Sequence, residues 1–279
     1  MKRLLFSCLV ALFALNAIAD DDYNERFTTA LKDSFPLAKE ILAEWDLKGP
    51  KNGDYYAAHF NIHHNQALKY MIGIDNYVPL YANIDELMPM TDSLGNKVGY
   101  IRQNISLEKP EELDSAITWI KKGIENCPQR LDLRIGYSTL YRMLDDAEKM
   151  YSIMEQTVNW VLANPNTQYT WTSDQAIEKE PVISDSMQDY FSNCYYSTAH
   201  KDYAEKFADL GLRFSPNSAV FWNDKAVLKL DKDDLQGALE LMEKALTFNP
   251  DDDLIKENIK HMKNMIKEQE EEKEKKKDK

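Results

Sequence analysis

Apolar and small residues along most of this chain recur every three to four positions, the period of a helix with one buried face. Phe27, Ala30, Leu31, Ala38, Ile41, Leu42 and Trp45 trace such a face over 24–49, with Pro36 as a boundary or kink. Gly49-Pro50-Lys51-Asn52-Gly53 is a turn, and a second helix runs from Asp54 to about Met71. Residues 73–109 break the period. Leu87-Met88-Pro89-Met90 and Val98-Gly99-Tyr100-Ile101 flank Asp92-Ser93-Leu94-Gly95-Asn96, which predicts a β-hairpin or an ordered loop. Pro110-Glu111-Glu112 then opens a helix that ends near Asn126. Further helices are expected over 131–145, 146–163, 185–199, 202–214, 219–230, 234–248 and 251–268. Asn164 to Ser184 is a second irregular stretch, with Tyr169, Trp171 and Pro181.

One spacing recurs five times along the helical stretches. A small residue or Ile is followed by Gly, Ala or Trp seven positions on, and by Pro twelve positions on. The sets are Ala38/Trp45/Pro50, Ala116/Gly123/Pro128, Ile153/Trp160/Pro165, Ala204/Gly211/Pro216 and Ala238/Ala245/Pro250. Seven residues is two helical turns, so the first two positions share a face and the Pro marks where the helix has ended. Pro216 and Pro250 stand 34 residues apart. A helical unit recurring at such a period is the mark of a solenoid.

The unit from Ala219 to Asn249 carries Trp222, Ala226, Ala238, Ala245 and then Pro250, and here the chain resembles the tetratricopeptide repeat family. Phe191-Ser192-x-x-Tyr195 and Tyr137-Ser138-x-x-Tyr141 repeat the core of a first helix. Lys225 and Lys229 depart from the family pattern, standing where Leu and an aromatic are usual. Trp45, Ile153 and Trp160 are larger than the usual small residue. The resemblance implies an all-α fold, a right-handed superhelix of α-α pairs, with the hairpin or loop inserted near 73–109. It implies pairing of 54–71 with 110–126, then pairs at 131–163, 185–214 and 219–248. The helix after Pro250 would cap the array with Ile255, Ile259, Met262 and Ile266.

The ends of the chain differ from the middle. Lys2 and Arg3, the apolar run Leu4 to Leu15 and Ala17-Ile18-Ala19 form a secretory signal peptide over 1–19, cleaved between Ala19 and Asp20. The expected organisation is therefore a helical repeat domain over 20–267 and a charged tail over 268–279, a frayed helical extension or disordered, in a periplasmic or extracellular protein. The formal charge is −13, and removal of Lys2 and Arg3 leaves −15. So acidic a chain repels phosphate backbones, which argues against nucleic acid, and no later segment is long and apolar enough for stable membrane insertion. Cys127 and Cys194 remain after cleavage, either paired with each other or packed as small residues between helices.

Candidate chemistry is sparse. His59 and His63 lie one helical turn apart and could reach one metal ion, but Phe60 stands where a zinc hydrolase has Glu. No phosphate loop or nucleophile elbow appears, and no cofactor is implied. In tetratricopeptide arrays the first helices line a groove for an extended peptide or a partner helix. Carried over by register, that implies contacts from Asp189, Asn193, Tyr196 and Ser197, and from Asn223, Val227, Leu230 and Asp231. The leading expectation is an exported, non-catalytic scaffold for a protein or peptide partner. The alternatives are a metal-dependent or enzymatic module around His59, His63 and the 73–109 insertion, and a structural or oligomerising repeat protein.

Overall fold

The computed structural model describes residues 23–75, 88–197 and 199–277. The segment 1–19, read above as a signal peptide, lies outside them. Eleven α-helices and a three-stranded sheet are found among the described residues. Helix α1 covers 23–33 and gives way at Ser34 to α2 (Phe35–Lys48), with Pro36 in the first turn of α2. Then come α3 (Gly53–Ala67), β1 (Leu68–Asp75), β2 (Met88–Thr91), β3 (Lys97–Leu107), α4 (Pro110–Asn126) and α5 (Leu131–Met143). The remaining helices are α6 (Ala147–Ala163), α7 (Lys179–Tyr196), α8 (Lys201–Phe214), α9 (Ala219–Leu230), α10 (Leu235–Phe248) and α11 (Asp253–Lys277). The fold is tetratricopeptide-like: consecutive helices pair as α3–α4, α7–α8 and α9–α10. The contacts gather into two compact units. One holds α1 to α5, the sheet and the loop 166–178; the other holds α6 to α11. The expected pair over 131–163 is divided between them.

The recurring spacing is explained by close approach. A Cβ on Gly211 of α8 would come within 2.4 Å of the Phe221 ring on α9, so only glycine fits there. A Cβ on Gly123 of α4 would stand 2.8 Å from Tyr56 and 3.0 Å from Leu133. Ala204, Ala226, Ala238 and Ala245 are fully buried, as helices packed backbone to backbone require. Trp45 breaks this rule by a local exchange. Its ring is fully buried, its Nε1 donates to the Pro50 carbonyl at 3.0 Å, and Gly49 makes the room: a Cβ there would lie 2.0 Å from Trp45 Cδ1. Lys225 and Lys229 turn outward, to Asp209 at 2.6 Å and to Asp234 at 2.8 Å, and Phe221 and Leu228 supply the buried face instead.

The inserted segment contains the expected hairpin and one further strand. β2 pairs with β3 across a turn in which the Asp92 carboxylate accepts from the Leu94 and Asn96 amides. β1 pairs antiparallel with β3 from Leu68 opposite Leu107 to Asp75 opposite Tyr100, so the order is β1-β3-β2. The second helix therefore stops at Ala67, short of Met71. Its last turn passes directly into strand, and the Ala67 carbonyl accepts from Glu108 and Lys109 instead of from a further turn. Residues 76–87 lie outside the described residues.

Two other boundaries move. Helix α7 begins at Lys179, not Asp185, because Pro181 falls in a first turn where no amide partner is lost. Helix α11 continues from 268 to Lys277, which is the helical extension of the two alternatives for the tail. Its capping role is as expected: Ile255, Ile259 and Met262 are buried with Leu235, Leu239 and Met242 of α10, and Ile266 packs partly against them. Neither Cys127 nor Cys194 is in a disulfide; Cys194 is buried and Cys127 half-buried. Among the described residues no helix is long and apolar enough to cross a membrane.

Candidate functional site

Helices α3 and α5 flank a cleft of about 250 Å³ in the first unit. Phe60, Asn61 and His64 line it from α3, and Ile135, Gly136, Thr139 and Met143 from α5. Trp171, from the loop 166–178, also lines it. Gly136 stands in mid-helix with only Ile120 Cδ1 at 4.0 Å from a notional Cβ, so its lack of a side chain leaves room in the cleft and answers to no tight packing.

A buried ionic cluster holds the loop in place. Arg130, the residue before α5, is fully buried. Its Nη2 donates to Asp54 Oδ1 and to Asp132 Oδ2, both at 2.8 Å, and its Nε donates to Asp132 Oδ1 at 2.8 Å. Nη1 makes no hydrogen bond and has Asp174 Oδ1 at 3.5 Å. Burial works against the charge on Arg130, and the hydrogen bonds and proximity of Asp132 and Asp54 more than offset it, so its pKa is raised. Asp54, in the first turn of α3, also accepts from the Ser173 amide through both oxygens at 3.1 Å. The Thr170 amide donates to the Gln129 carbonyl and the Leu131 amide to the Thr170 carbonyl. Ser173 and Asp174 have φ of 56° and 51°, a left-handed pair without glycine that these bonds impose. Trp171 is thus set against the cleft by a strained, strapped loop.

The cleft is mostly apolar; its titratable lining groups are the His64 imidazole and the Asp132 carboxylate, which Arg130 holds. His64 stacks on Phe60 with ring centroids 5.4 Å apart. Burial lowers its pKa, opposed by a hydrogen bond with Asn65, so the ring is neutral at pH 7. The volume falls below the ~300–1,000 Å³ of small-molecule pockets.

His59 and His63 are not brought to one point. His59 Nε2 is 2.8 Å from Asp46 Oδ1 of α2, and its ring stacks on Trp119 of α4 at 3.8 Å. Asp46 also accepts from Tyr55 Oη at 2.7 Å. His63 Nδ1 is 2.6 Å from Glu112 Oε2 of α4. The two imidazoles each answer a carboxylate from a different helix, and both serve helix contacts. Among the described residues no three His, Cys, Asp or Glu side chains converge as metal ligands would.

In the second unit Asp189, Asn193 and Tyr196 are exposed along one side of α7, with Ser197 half-buried beyond its end. On α9, Asn223, Val227 and Leu230 are half-buried. Asp231 is already engaged, accepting from Tyr195 Oη at 3.0 Å and pairing with Lys201 at 2.6 Å. Register reasoning passed over the cleft between α3 and α5. The signals that mark it are a glycine in mid-helix and an aromatic within an irregular stretch.

The helix pairs define a tetratricopeptide-like helical-repeat protein. No protein-family model matches the chain, and no curated protein is similar to it. Among known structures the chain is similar to a tetratricopeptide repeat protein from Parabacteroides merdae ATCC 43184, at 13% identity and a TM-score of 0.40, over 88% of this chain and 73% of that one. It is also similar to the assembly chaperone of RpL4 (Acl4), at 10% identity and a TM-score of 0.34, over 82% of this chain and 74% of that one. At TM-scores this low, the class rests on the helix pairs themselves.

Proposed function

We propose that this chain is an exported, non-catalytic scaffold that holds a protein partner by an extended segment, with one apolar side chain of the partner seated between α3 and α5. The observation that carries this reading is the cleft itself: mostly apolar, sized for side chains, and lined by Trp171 from a strapped loop. The partner's anchor is aromatic or aliphatic, because Phe60, Ile135, Met143 and Trp171 offer apolar contact and His64 is neutral. Basic residues flank that anchor, because the chain's net charge of −13 steers cations toward it. The exposed Asp189, Asn193 and Tyr196 on α7 offer a second strip for contact. Export follows from the basic start, apolar run and small-x-small site at the N-terminus.

A library of extended peptides, varied at one anchor position between Lys or Arg flanks, tests the reading by fluorescence anisotropy. Peptides with Phe, Trp or Leu at the anchor are expected to bind. Gly136→Leu, which fills the cleft, is expected to weaken them at least ~10-fold, the cost of losing one buried anchor, with the melting temperature retained. Equal binding by wild type and Gly136→Leu would remove the cleft as the site. Export is tested separately by sequencing the N-terminus of the secreted chain, expected to begin at Asp20.

A further inference from the structure

Asp224 lies on α9 at 3% exposure, with no cation beside it. Its Oδ1 accepts from Gln188 Nε2 of α7 at 3.2 Å. The other atoms of the same two groups, Asp224 Oδ2 and Gln188 Oε1, are buried and make no hydrogen bond. While Asp224 is ionised, both are acceptors, and each carries the full penalty of an unmet buried polar atom. Exchanging the amide oxygen and nitrogen of Gln188 does not help, because the pair still has three oxygens and a single amide nitrogen to donate. A proton on Asp224 supplies the missing donor.

The charged groups nearby are occupied or face water. Lys225, next to Asp224 on α9, pairs with Asp209 and Glu205 of α8 at 2.6 and 3.7 Å. Lys229 pairs with Asp234. Asp189, next to Gln188 on α7, is exposed. Helix α10 turns Leu235, Ala238, Leu239 and Met242 inward. The influences on the Asp224 proton are burial, which pushes the carboxyl up to about 7, and the Gln188 hydrogen bond, which opposes it.

We propose that Asp224 is held as the neutral acid, donating Oδ2–H to Gln188 Oε1, so that a proton-dependent acid–amide clasp joins α7 to α9. No bond is made or broken but the O–H itself, and the proton comes from solvent.

The unfolded chain titrates this carboxyl near 3.8. Between 3.8 and about 7 the folded chain therefore binds a proton that the unfolded chain does not. The clasp's contribution is fully present below the lower value and is lost as pH rises through the upper one. His59 and His64, whose pKa values are lowered by burial, act with the opposite sign, so the decisive comparison is with a variant. Asp224→Asn keeps a donor at the same place without titrating. The full chain is melted at pH 5 and pH 8, with and without the substitution. The melting temperature of wild type is expected to change unfavourably, relative to Asp224→Asn, by roughly 5–10 °C on going to pH 8. Identical pH profiles would overturn the clasp. Carbon-13 NMR of aspartate carboxyls in the wild-type chain gives an answer even if the variant does not fold: one carboxyl titrating above pH 6 supports the proposal, and all titrating below pH 5 removes it.

Discussion

The opening helices and the last helix pairs solve the same packing problem with different materials. In α7 to α10 the contacts run through small residues: Ala204, Ala208 and Gly211 on α8, Ala226 on α9, Ala238 and Ala245 on α10. Backbones approach closely, and the pattern of the chain is regular. In α1 to α4 the contacts run through rings. Tyr23 stacks on Trp45 at 5.6 Å, Phe27 and Tyr55 meet Trp45 edge-on, and Tyr55 meets Trp119 at 5.8 Å. Small residues are buried there too, Ala38, Ala58, Ala116 and Gly123, so close approach and ring packing act together. The buried Arg130 cluster ties the loop 166–178 to α3, and the cleft beside Gly136 is space left open. The difference teaches that the regular part of this protein is where stability comes from local register, and the irregular part is where a site can exist.

Breaking the ionic cluster is expected to have the largest effect. Arg130→Ala leaves the buried Asp54 and the half-buried Asp132 without their cation and releases the loop that carries Trp171, at a cost of about 3–5 kcal/mol. Urea denaturation measures it, and a loss below about 1 kcal/mol would mean the cluster is not what ties that loop to α3. The glycines sharpen the comparison at a smaller scale. Gly211→Ala forces a Cβ into the rigid, fully buried Phe221 ring and is expected to cost about 1–3 kcal/mol. Gly136→Ala meets open space and removes a helical glycine, so a gain of up to about 1 kcal/mol is expected. The same sign at both positions in thermal melts would show that close approach is not what distinguishes the two regions.

The last difference is in response to acid. His59 and His64 have pKa values lowered by burial, so the first unit is stabilised above their ordinary value of 6.5 and loses that contribution as pH falls below it. Asp224 has a raised pKa, so the second unit gains as pH falls through about 7. Hydrogen exchange followed by mass spectrometry at pH 5.5 and 7.5, with rates corrected for intrinsic exchange, is expected to show protection moving in opposite directions in α3 and in α9.

The helices were legible because their evidence is local. An apolar face, a small residue two turns from another and a proline past the end are all read without knowing what packs where. The hairpin was legible for the same reason, since Asp92-Ser93-Leu94-Gly95-Asn96 forms its own turn. Strand β1 was missed although Leu68, Tyr70, Ile72 and Ile74 alternate along it, because Ala67 and Leu68 also continue the face of α3. The partner strand, 100–107, decided between them. The start of α7 was missed because Pro181 reads as a break and acts as a first-turn residue. His59 and His63 were paired by spacing; the opposing carboxylates of Asp46 and Glu112, brought from α2 and α4, give each its own partner.

Sequence alone determined the period of this protein, the class of fold, the helix that caps it and its acidic character. These depend on spacing within one helix or between neighbours in the chain. Tertiary structure alone decided where Arg130 finds Asp54, 76 residues away, how Trp171 comes to line a cleft, and why Asp224 has an amide for company and no cation. Such features depend on which side chains share a buried space, and the free energy of a buried charge is set by its neighbours in that space, not by its neighbours in the chain.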